Sequence, residues 1–454
     1  MKSASNKPNS KSSTMRKSSS RSLARKRFRQ MMFESLEGRA LLAAVEISPM
    51  EWAAVPIVNN EAMVRFNSNV TQQQAATELF SKQGATIKKF WPELNLAQVK
   101  FPMNFPSPGA QISAIQSIHA WSSVYYAEPN FIHQLARTPN DPALPFRWDL
   151  NNTGQVVNPP VPPGLPPGTP GADIDALRAW DTTTGSSNTV IAIVDTGVDF
   201  NHPDLVANIW RNPSEAADGA DNDGNGFIDD LRGWNFVDDN NDVMDLNGHG
   251  TQVAGIAAAV GNNGIGTVGV SWNSKIMALK VAAGPTTPPT SASIAGAQLY
   301  IARMKSQYGI NIVVSNNSYG ALRAFSFAEF DTINTAIGTG VTFVASAGNT
   351  AAAPTNNNDT TPFYPASYTL NGIISVASSD NNDVLSATSN YGQVSVDLTA
   401  PGDQILTTTI PTGTPPAIYT YASGTSMAAP HVAGTVALLK SVNPGLSVDQ
   451  VKAI

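Results

Sequence analysis

Three residues stand where short segments end or begin, and together they could do acid–base and nucleophilic chemistry. Asp195 closes the apolar run Val190-Ile191-Ala192-Ile193-Val194. A carboxylate at the carboxyl end of a buried strand is costly unless it is paired. Taken alone, it also fits a helix cap or a loop acid. His249, in Asn247-Gly248-His249-Gly250-Thr251, stands where a helix begins, between two glycines that let another group approach the backbone closely. Of the histidines beyond residue 135, His202 and His431 fit structural roles. Ser426, in Gly424-Thr425-Ser426-Met427-Ala428-Ala429-Pro430-His431, opens an Ala-rich helix. Thr425 or Ser426 would cap that helix well. Alternatively Ser426 is a nucleophile, with its own N–H and the helix N-terminus facing a developing oxyanion.

The elements that must position these residues alternate. Val190–Val194, Ile276–Val281, Ile312–Ser315, Val341–Ala345 and Ile373–Ala377 are short apolar runs rich in β-branched residues, as in buried parallel strands. Helical stretches lie between them at about Gly248–Val260, Ser291–Gln307, Ser326–Ile337 and Thr425–Leu439. This α/β order predicts a doubly wound, mostly parallel sheet over 137–454, with ligands at the carboxyl ends of its strands. Residues 50–136 differ. Strands at Met63–Phe66, Thr86–Phe90, Ala97–Phe101 and Ser122–Tyr126, with helices at Thr71–Lys82 and Ala110–His119, predict a small α+β domain of ferredoxin-like type. Arg137–Pro145 reads as a connector, and the proline-rich 157–171 as a stiff extended surface loop.

Acids crowd one region. Thirteen of the 34 fall in Asp195–Asp245, with only Arg211 and Arg232 to offset them, so neutralisation by a hard cation competes with a merely solvated acidic surface. The stretch Asp221-Asn222-Asp223-Gly224-Asn225-Gly226-Phe227-Ile228-Asp229-Asp230 starts like an EF-hand loop, with oxygens at alternate positions. Arg232 stands at the twelfth position, where that motif needs a bidentate Glu, and no flanking helices are evident. It reads either as a calcium loop of another kind, with Asp221, Asp223, Asn225 and Asp229 as candidate ligands, or as an acidic turn.

The order Asp195…His249…Ser426 and the residues flanking each resemble the subtilisin-like serine proteases, from Arg137 to the end of the chain. The resemblance implies a secreted endopeptidase acting on polypeptides. Ser426 would attack the carbonyl, His249 would carry the proton, and Asp195 would hold the imidazole. Ala345-Ser346-Ala347-Gly348-Asn349 matches the family's oxyanion loop, which makes Asn349 a donor. Ser318-Tyr319-Gly320 matches its substrate-pairing edge, and Tyr364-Pro365-Ala366 a motif whose proline is commonly cis. Asp141, Asp204 and Asn263 match its strong calcium site, and Asp221–Asp230 resembles a calcium-type loop of the family. Two departures stand out. Gln252 replaces a usual, non-catalytic His, and the proline-rich Gly284–Pro289 replaces a Gly/Ser-rich rim. Residues 50–136, ending Val124-Tyr125-Tyr126-Ala127-Glu128-Pro129-Asn130, resemble the inhibitory propeptide, with self-cleavage expected within Gln134–Pro139.

The remaining features bound the picture. Residues 1–30 hold ten of the 28 Lys and Arg and no acid, which leaves the rest with 18 bases against 34 acids. The basic head reads as a disordered tail, and the body is too acidic for nucleic acid. Phe33–Ala44 resembles an export leader of planctomycete bacteria, so residues 1–45 are expected to be a leader and the protein to be secreted or held in the envelope. No apolar run reaches the ~18 residues that cross a bilayer. The absence of Cys excludes disulfides and a thiol nucleophile. A monomer is expected. The chain ends at Ile454, where the family usually continues, so a fragment or truncated protein is expected. The competing expectation is an inert calcium-binding surface protein derived from such a protease.

Overall fold

The computed structural model describes residues 57–132, 137–157, 165–350, 356–414 and 416–454. The leader and the expected cut near Ala136 lie outside them, as do residues 158–164 of the proline-rich loop. The chain divides into two units, Met1–Gln134 and Leu135–Ile454.

In the first unit the order is β1 (Ile57–Phe66), α1 (Gln72–Gln83), β2 (Thr86–Trp91), β3 (Leu96–Lys100), α2 (Pro108–His119) and β4 (Val124–Phe131). The four strands form one antiparallel sheet in the order β2-β3-β1-β4. Thr71 caps α1 and trades bonds with Gln74, a capping box. Ser107 caps α2, and Pro108 fills its first turn, where no N–H is needed. Val64, Phe66, Leu79, Ile115 and Ile118 close the core between helices and sheet.

The second unit begins with α3 (Ala176–Thr182) and continues through β5 (Val190–Asp195), β6 (Gly233–Asn235), α4 (His249–Ala258), β7 (Lys275–Lys280), α5 (Ser291–Ser306) and β8 (Ile312–Asn317). Then follow β9 (Ala321–Leu322), α6 (Phe327–Gly338), β10 (Thr342–Ser346), β11 (Phe363–Tyr364), β12 (Ile373–Ser379) and β13 (Leu398–Pro401). The hairpin β14 (Ile405–Thr412) and β15 (Ala417–Ala422) and the helices α7 (Thr425–Val442) and α8 (Val448–Ala453) complete it. Seven strands form a parallel sheet in the order β13-β12-β10-β8-β5-β7-β6.

The five expected strands are its centre. Every residue of β5, β8, β10 and β12 is buried, which is why they carry no polar alternation. The helices α4 and α7 cover one face, where Ile193, Val253, Ile256, Met427 and Val436 pack together. On the other face Tyr300 and Ile301 of α5 meet Val194 and Leu279. The strands β6 and β13, absent from the sequence reading, are sheet edges of three and four residues. Among the described residues no helix is long and apolar enough to cross a membrane.

Candidate active site

In a doubly wound sheet the helix N-termini and the strand carboxyl ends share one edge. Asp195 ends β5, His249 is the first residue of α4, and Ser426 lies in the first turn of α7. The imidazole Nδ1 of His249 meets Asp195 Oδ1 at 2.7 Å. The same oxygen accepts the N–H of Thr196 at 2.8 Å. Asp195 is nearly fully buried, whereas 32% of the His249 side chain stays exposed. Burial disfavours the imidazolium. The charge and hydrogen bond of Asp195, with Asp245 beyond, outweigh it and raise the His249 pKa above its ordinary value.

A glycine makes this approach possible. A Cβ on Gly250 would lie 2.0 Å from the Gly197 carbonyl and 3.2 Å from Asp195 Cβ. Asp245, which the sequence reading passed over, holds the start of α4. Its Oδ1 accepts N–H bonds from Asn247 and Gly248, and its Oδ2 accepts those of the Thr251 N–H and hydroxyl. An acid just before a helix is the signal that could have found it.

Ser426 and Ser318 are bonded reciprocally. The Ser426 hydroxyl donates to the Ser318 carbonyl at 3.3 Å, and the Ser318 hydroxyl donates to the Ser426 carbonyl at 3.0 Å. The second bond has a local cause: Pro430 lacks the N–H that would serve that carbonyl in a helix. Neither Thr425 nor Ser426 caps α7. The cap is Gly424, at φ +134°, with no side-chain bond. Thr425 instead gives both its N–H and its hydroxyl to Asn349 Oδ1, at 2.9 and 3.1 Å. Tyr319 and Gly320 lie just past β8, half-buried and exposed respectively, and the Tyr364–Pro365 peptide is cis.

The other two late histidines have structural partners. His202 contacts the Ile418 carbonyl through Nε2 at 2.9 Å. His431, fully buried in α7, meets Asp149 Oδ2 at 2.8 Å, and Asp149 in turn binds the buried Arg147.

Asp141, Asp204 and Asn263 converge on the loop 261–266. Asp141 Oδ2 accepts the Asn262 N–H at 2.6 Å, and Asp204 accepts from Asn263 Nδ2 at 2.9 Å and the Thr267 N–H at 2.7 Å. Asp141 Oδ1 is buried with no partner. Burial pushes the Asp141 carboxyl up and that of Asp204 up to about 6, with the Asp141 charge adding to the latter. The carboxylate oxygens of Asp141 and Asp204, one of them orphaned, fit a hard divalent cation, while Asn263 turns its amide nitrogen to Asp204 and its oxygen to the Ile265 N–H.

The insertion assembles differently from the alternating pattern expected. Asp221 is turned to the N–H groups of Asn225 and Gly226, and Asp229 to those of Asp218 and Gly219. Asn225 points its amide nitrogen at Asp223 and Asp230. The acids that gather, with oxygens within 4.8 Å of one another, are Glu215, Asp223 and Asp230. Glu215 and Asp230 were missed because the chain must reverse to bring them together. Burial pushes the Asp230 carboxyl up to about 6, against hydrogen bonds from Tyr300, Asn212 and Asn225.

The profile of the Subtilase family matches residues 186–454. The chain belongs to the subtilase family. A second profile, the fervidolysin N-terminal prodomain, matches residues 53–130 of this subtilase. It is therefore a serine endopeptidase that carries a prodomain. A thermophilic serine proteinase of a Bacillus species is 35% identical over 385 residues, covering 85% of this chain and 78% of that protein. Subtilisin-like protease 1 of Plasmodium vivax is 36% identical over 304 residues, and there the match spans 45% of the relative. A solved protease structure from Pseudoalteromonas arctica superposes with a TM-score of 0.52 at 30% identity, over 70% of this subtilase and 91% of that chain.

Proposed function

We propose that this subtilase hydrolyses peptide bonds through Asp195, His249 and Ser426, and that it is made as a self-processed, secreted zymogen braced by calcium. The observation that carries the reading is the 2.7 Å bond between Asp195 and the Nδ1 of a partly open His249. That bond leaves Nε2 as the free base. The Ser426 hydroxyl, which donates to the Ser318 carbonyl in this structure, would give up that bond for one to this nitrogen. Ser426 Oγ then attacks the carbonyl carbon as Nε2 takes the proton, His249 gives it to the leaving amine as the C–N bond breaks, and a water deprotonated by the same nitrogen cleaves the resulting ester, the proton returning to Ser426. The Asn349 amide nitrogen and the Ser426 N–H receive the negative charge on the carbonyl oxygen. Ser318, Tyr319 and Gly320 pair with the extended substrate backbone.

Asp141, Asp204 and Asn263 would hold one calcium ion, and Glu215, Asp223 and Asp230 a second. Calcium supplies charge neutralisation there and no bond chemistry. The ferredoxin-like unit over 50–136 acts as the intramolecular inhibitor, cut near Ala136. Secretion is supported by the leader pattern Phe33–Ala44. The test is a fluorophosphonate probe in calcium buffer. Labelling of the wild type and none of Ser426→Ala supports the reading. An unlabelled wild type points to an inert calcium-binding surface protein and rejects it.

A further inference from the structure

The helix that carries Ser426 lacks one of its own bonds at that residue. In a regular helix the Ser426 carbonyl would accept the N–H of the fourth residue on. That residue is Pro430, which has no N–H, and a proline ring also crowds the carbonyl four residues before it. The carbonyl therefore needs a donor from outside the helix. The Ser318 hydroxyl supplies it at 3.0 Å, from just past the end of β8, 108 residues earlier in the chain.

The strand aims that hydroxyl. Side chains alternate along β8 and the residues that follow it. Asn317 faces α5, where its Oδ1 accepts Gln298 Nε2 at 3.0 Å and the Tyr319 hydroxyl at 2.9 Å. Asn316 and Ser318 face the other way, toward α7. Asn316 is fully buried, and its Nδ2 donates to Ser318 Oγ at 2.9 Å. With that donor in place, the Ser318 proton goes to the Ser426 carbonyl. The reversed amide would take the Ser318 proton for itself and strand the carbonyl. The arrangement has a cost, because Asn316 Oδ1 is buried with no partner. An orphaned buried acceptor is destabilising, so packing alone does not account for an amide here.

Ser426 also donates its own hydroxyl to the Ser318 carbonyl at 3.3 Å. That bond is given up when the hydroxyl turns to His249. The bond to the Ser426 carbonyl is then the polar tie that remains between the two residues. Holding the carbonyl limits rotation of the Ser426 backbone, and with it the aim of its Oγ and its N–H.

We infer that Asn316, Ser318 and Pro430 form one positioning unit: Pro430 frees the Ser426 carbonyl from the helix, and the Ser318 hydroxyl, aimed by Asn316, captures it and holds the nucleophile against β8. The inference rests on the triad reading above. It gives the Ser318 side chain a role separate from the backbone pairing with substrate, and all three residues act through Ser426.

The experiment is a double-mutant cycle of Ser318→Ala and Pro430→Ala in the full chain, read by hydrolysis of one chromogenic peptide. Pro430→Ala returns the helix N–H, so the two changes should compensate. In Ser318→Ala alone kcat should fall about 10-fold, the weight of one hydrogen bond, with KM little changed. Ser318→Thr keeps the hydroxyl and should restore kcat. In the Pro430→Ala background the Ser318→Ala loss should shrink to under about 2-fold. The same cycle in Ser426→Ala keeps the carbonyl and needs no turnover. There denaturant unfolding should show a Ser318→Ala cost of about 10-fold in the unfolding constant that disappears beside Pro430→Ala. Equal losses in the two backgrounds, or a loss confined to KM, overturn the inference. Coupling in unfolding but not in kcat rejects the positioning role. An uncoupled cycle in enzyme whose Ser426 is labelled by fluorophosphonate rejects the positioning unit and leaves the triad standing. An unlabelled wild type rejects both.

Discussion

Thr425 fixes which end of the Asn349 amide is engaged and which is left free. Its hydroxyl already accepts the Gly348 N–H at 3.1 Å, so its proton must go to Asn349 Oδ1, which also accepts the Thr425 N–H. With both of those donors committed to Oδ1, the amide nitrogen is left free for the oxyanion of the proposed mechanism. A Cβ on Gly424 would sit 3.1 Å from that nitrogen, which explains a glycine at the helix cap. Asn349→Ala should lower kcat by about 10²–10³, a range carried over from a subtilisin rather than derived from this geometry. Thr425→Val keeps the N–H and loses the hydroxyl, so kcat should fall about 10-fold, the weight of one hydrogen bond, with KM little changed. The double variant should be no worse than Asn349→Ala alone. Steady-state kinetics of the three variants decides, and additive losses would mean that Thr425 does not act through Asn349.

In the proposed mechanism, with His249 as the base, its raised pKa sets the acid limb of activity. The base must be neutral, so activity is lost as pH falls through the folded value. Asp195 and Asp245 hold that value above the ordinary ~6.5 despite burial. The midpoint of the acid limb in kcat/KM, which reports the free enzyme, should therefore lie above 6.5. A midpoint at or below that value would show that Asp195 is not charged beside the imidazole.

What the sequence made legible, and what it did not, follows from contact distance along the chain. Asp195, His249 and Ser426 each sit where a patterned segment starts or stops, so local periodicity exposes them. The strands β5, β8, β10 and β12 are legible because burial on both faces makes them continuous apolar runs. Gly233–Asn235 and Leu398–Pro401 are short edges with no such run. In the metal-type loop the alternating oxygens do not all point to one place: Asp221 and Asp229 turn their carboxylates to turn N–H groups. Glu215 reaches Asp223 and Asp230 only through that folding. The pairing of His431 with Asp149 spans 282 residues and leaves no local trace.

Calcium and protons should compete at Asp141 and Asp204. Without a cation, burial holds the Asp204 carboxyl up at about 6, above the ordinary ~3.9. The folded chain then binds more protons than the unfolded one between those values. Stability from this group thus falls as pH rises through that window. A bound cation needs the ionised forms, so the gain from calcium should grow from pH 5 to pH 7. It should reach about 2.7 kcal/mol when free calcium is ~100 times its dissociation constant. Thermal midpoints of Ser426→Ala, with calcium and after calcium-free dialysis, test this. The gap should widen with pH and shrink in Asp141→Asn. A gap independent of pH would rule out these acids as the ligands.

Asp149 braces the helix that carries Ser426. Its carboxylate lies between Arg147 and His431, all three fully buried. Burial works against the charge, but the Arg147 charge and the bonds from His431 and Arg147 prevail and hold this carboxyl well below the usual range. A depressed carboxyl stabilises the fold above the unfolded value of ~3.9, and the benefit is lost as pH falls through the folded one. Asp149→Asn removes the anion and leaves Arg147 with only Thr267 and the Val268 carbonyl. The expected loss is about 3–5 kcal/mol at pH 7, because breaking a buried pair strands a charge that water cannot reach. Denaturant unfolding in a Ser426→Ala background, where self-digestion is blocked, measures it. The penalty should be full at pH 7 and should narrow only below pH ~4, where the carboxyl of the unfolded wild-type chain takes up a proton before that of the folded one. A cost under about 1 kcal/mol would show that solvent or a relaxed Arg147 replaces the pair, and that α7 is held by apolar packing alone.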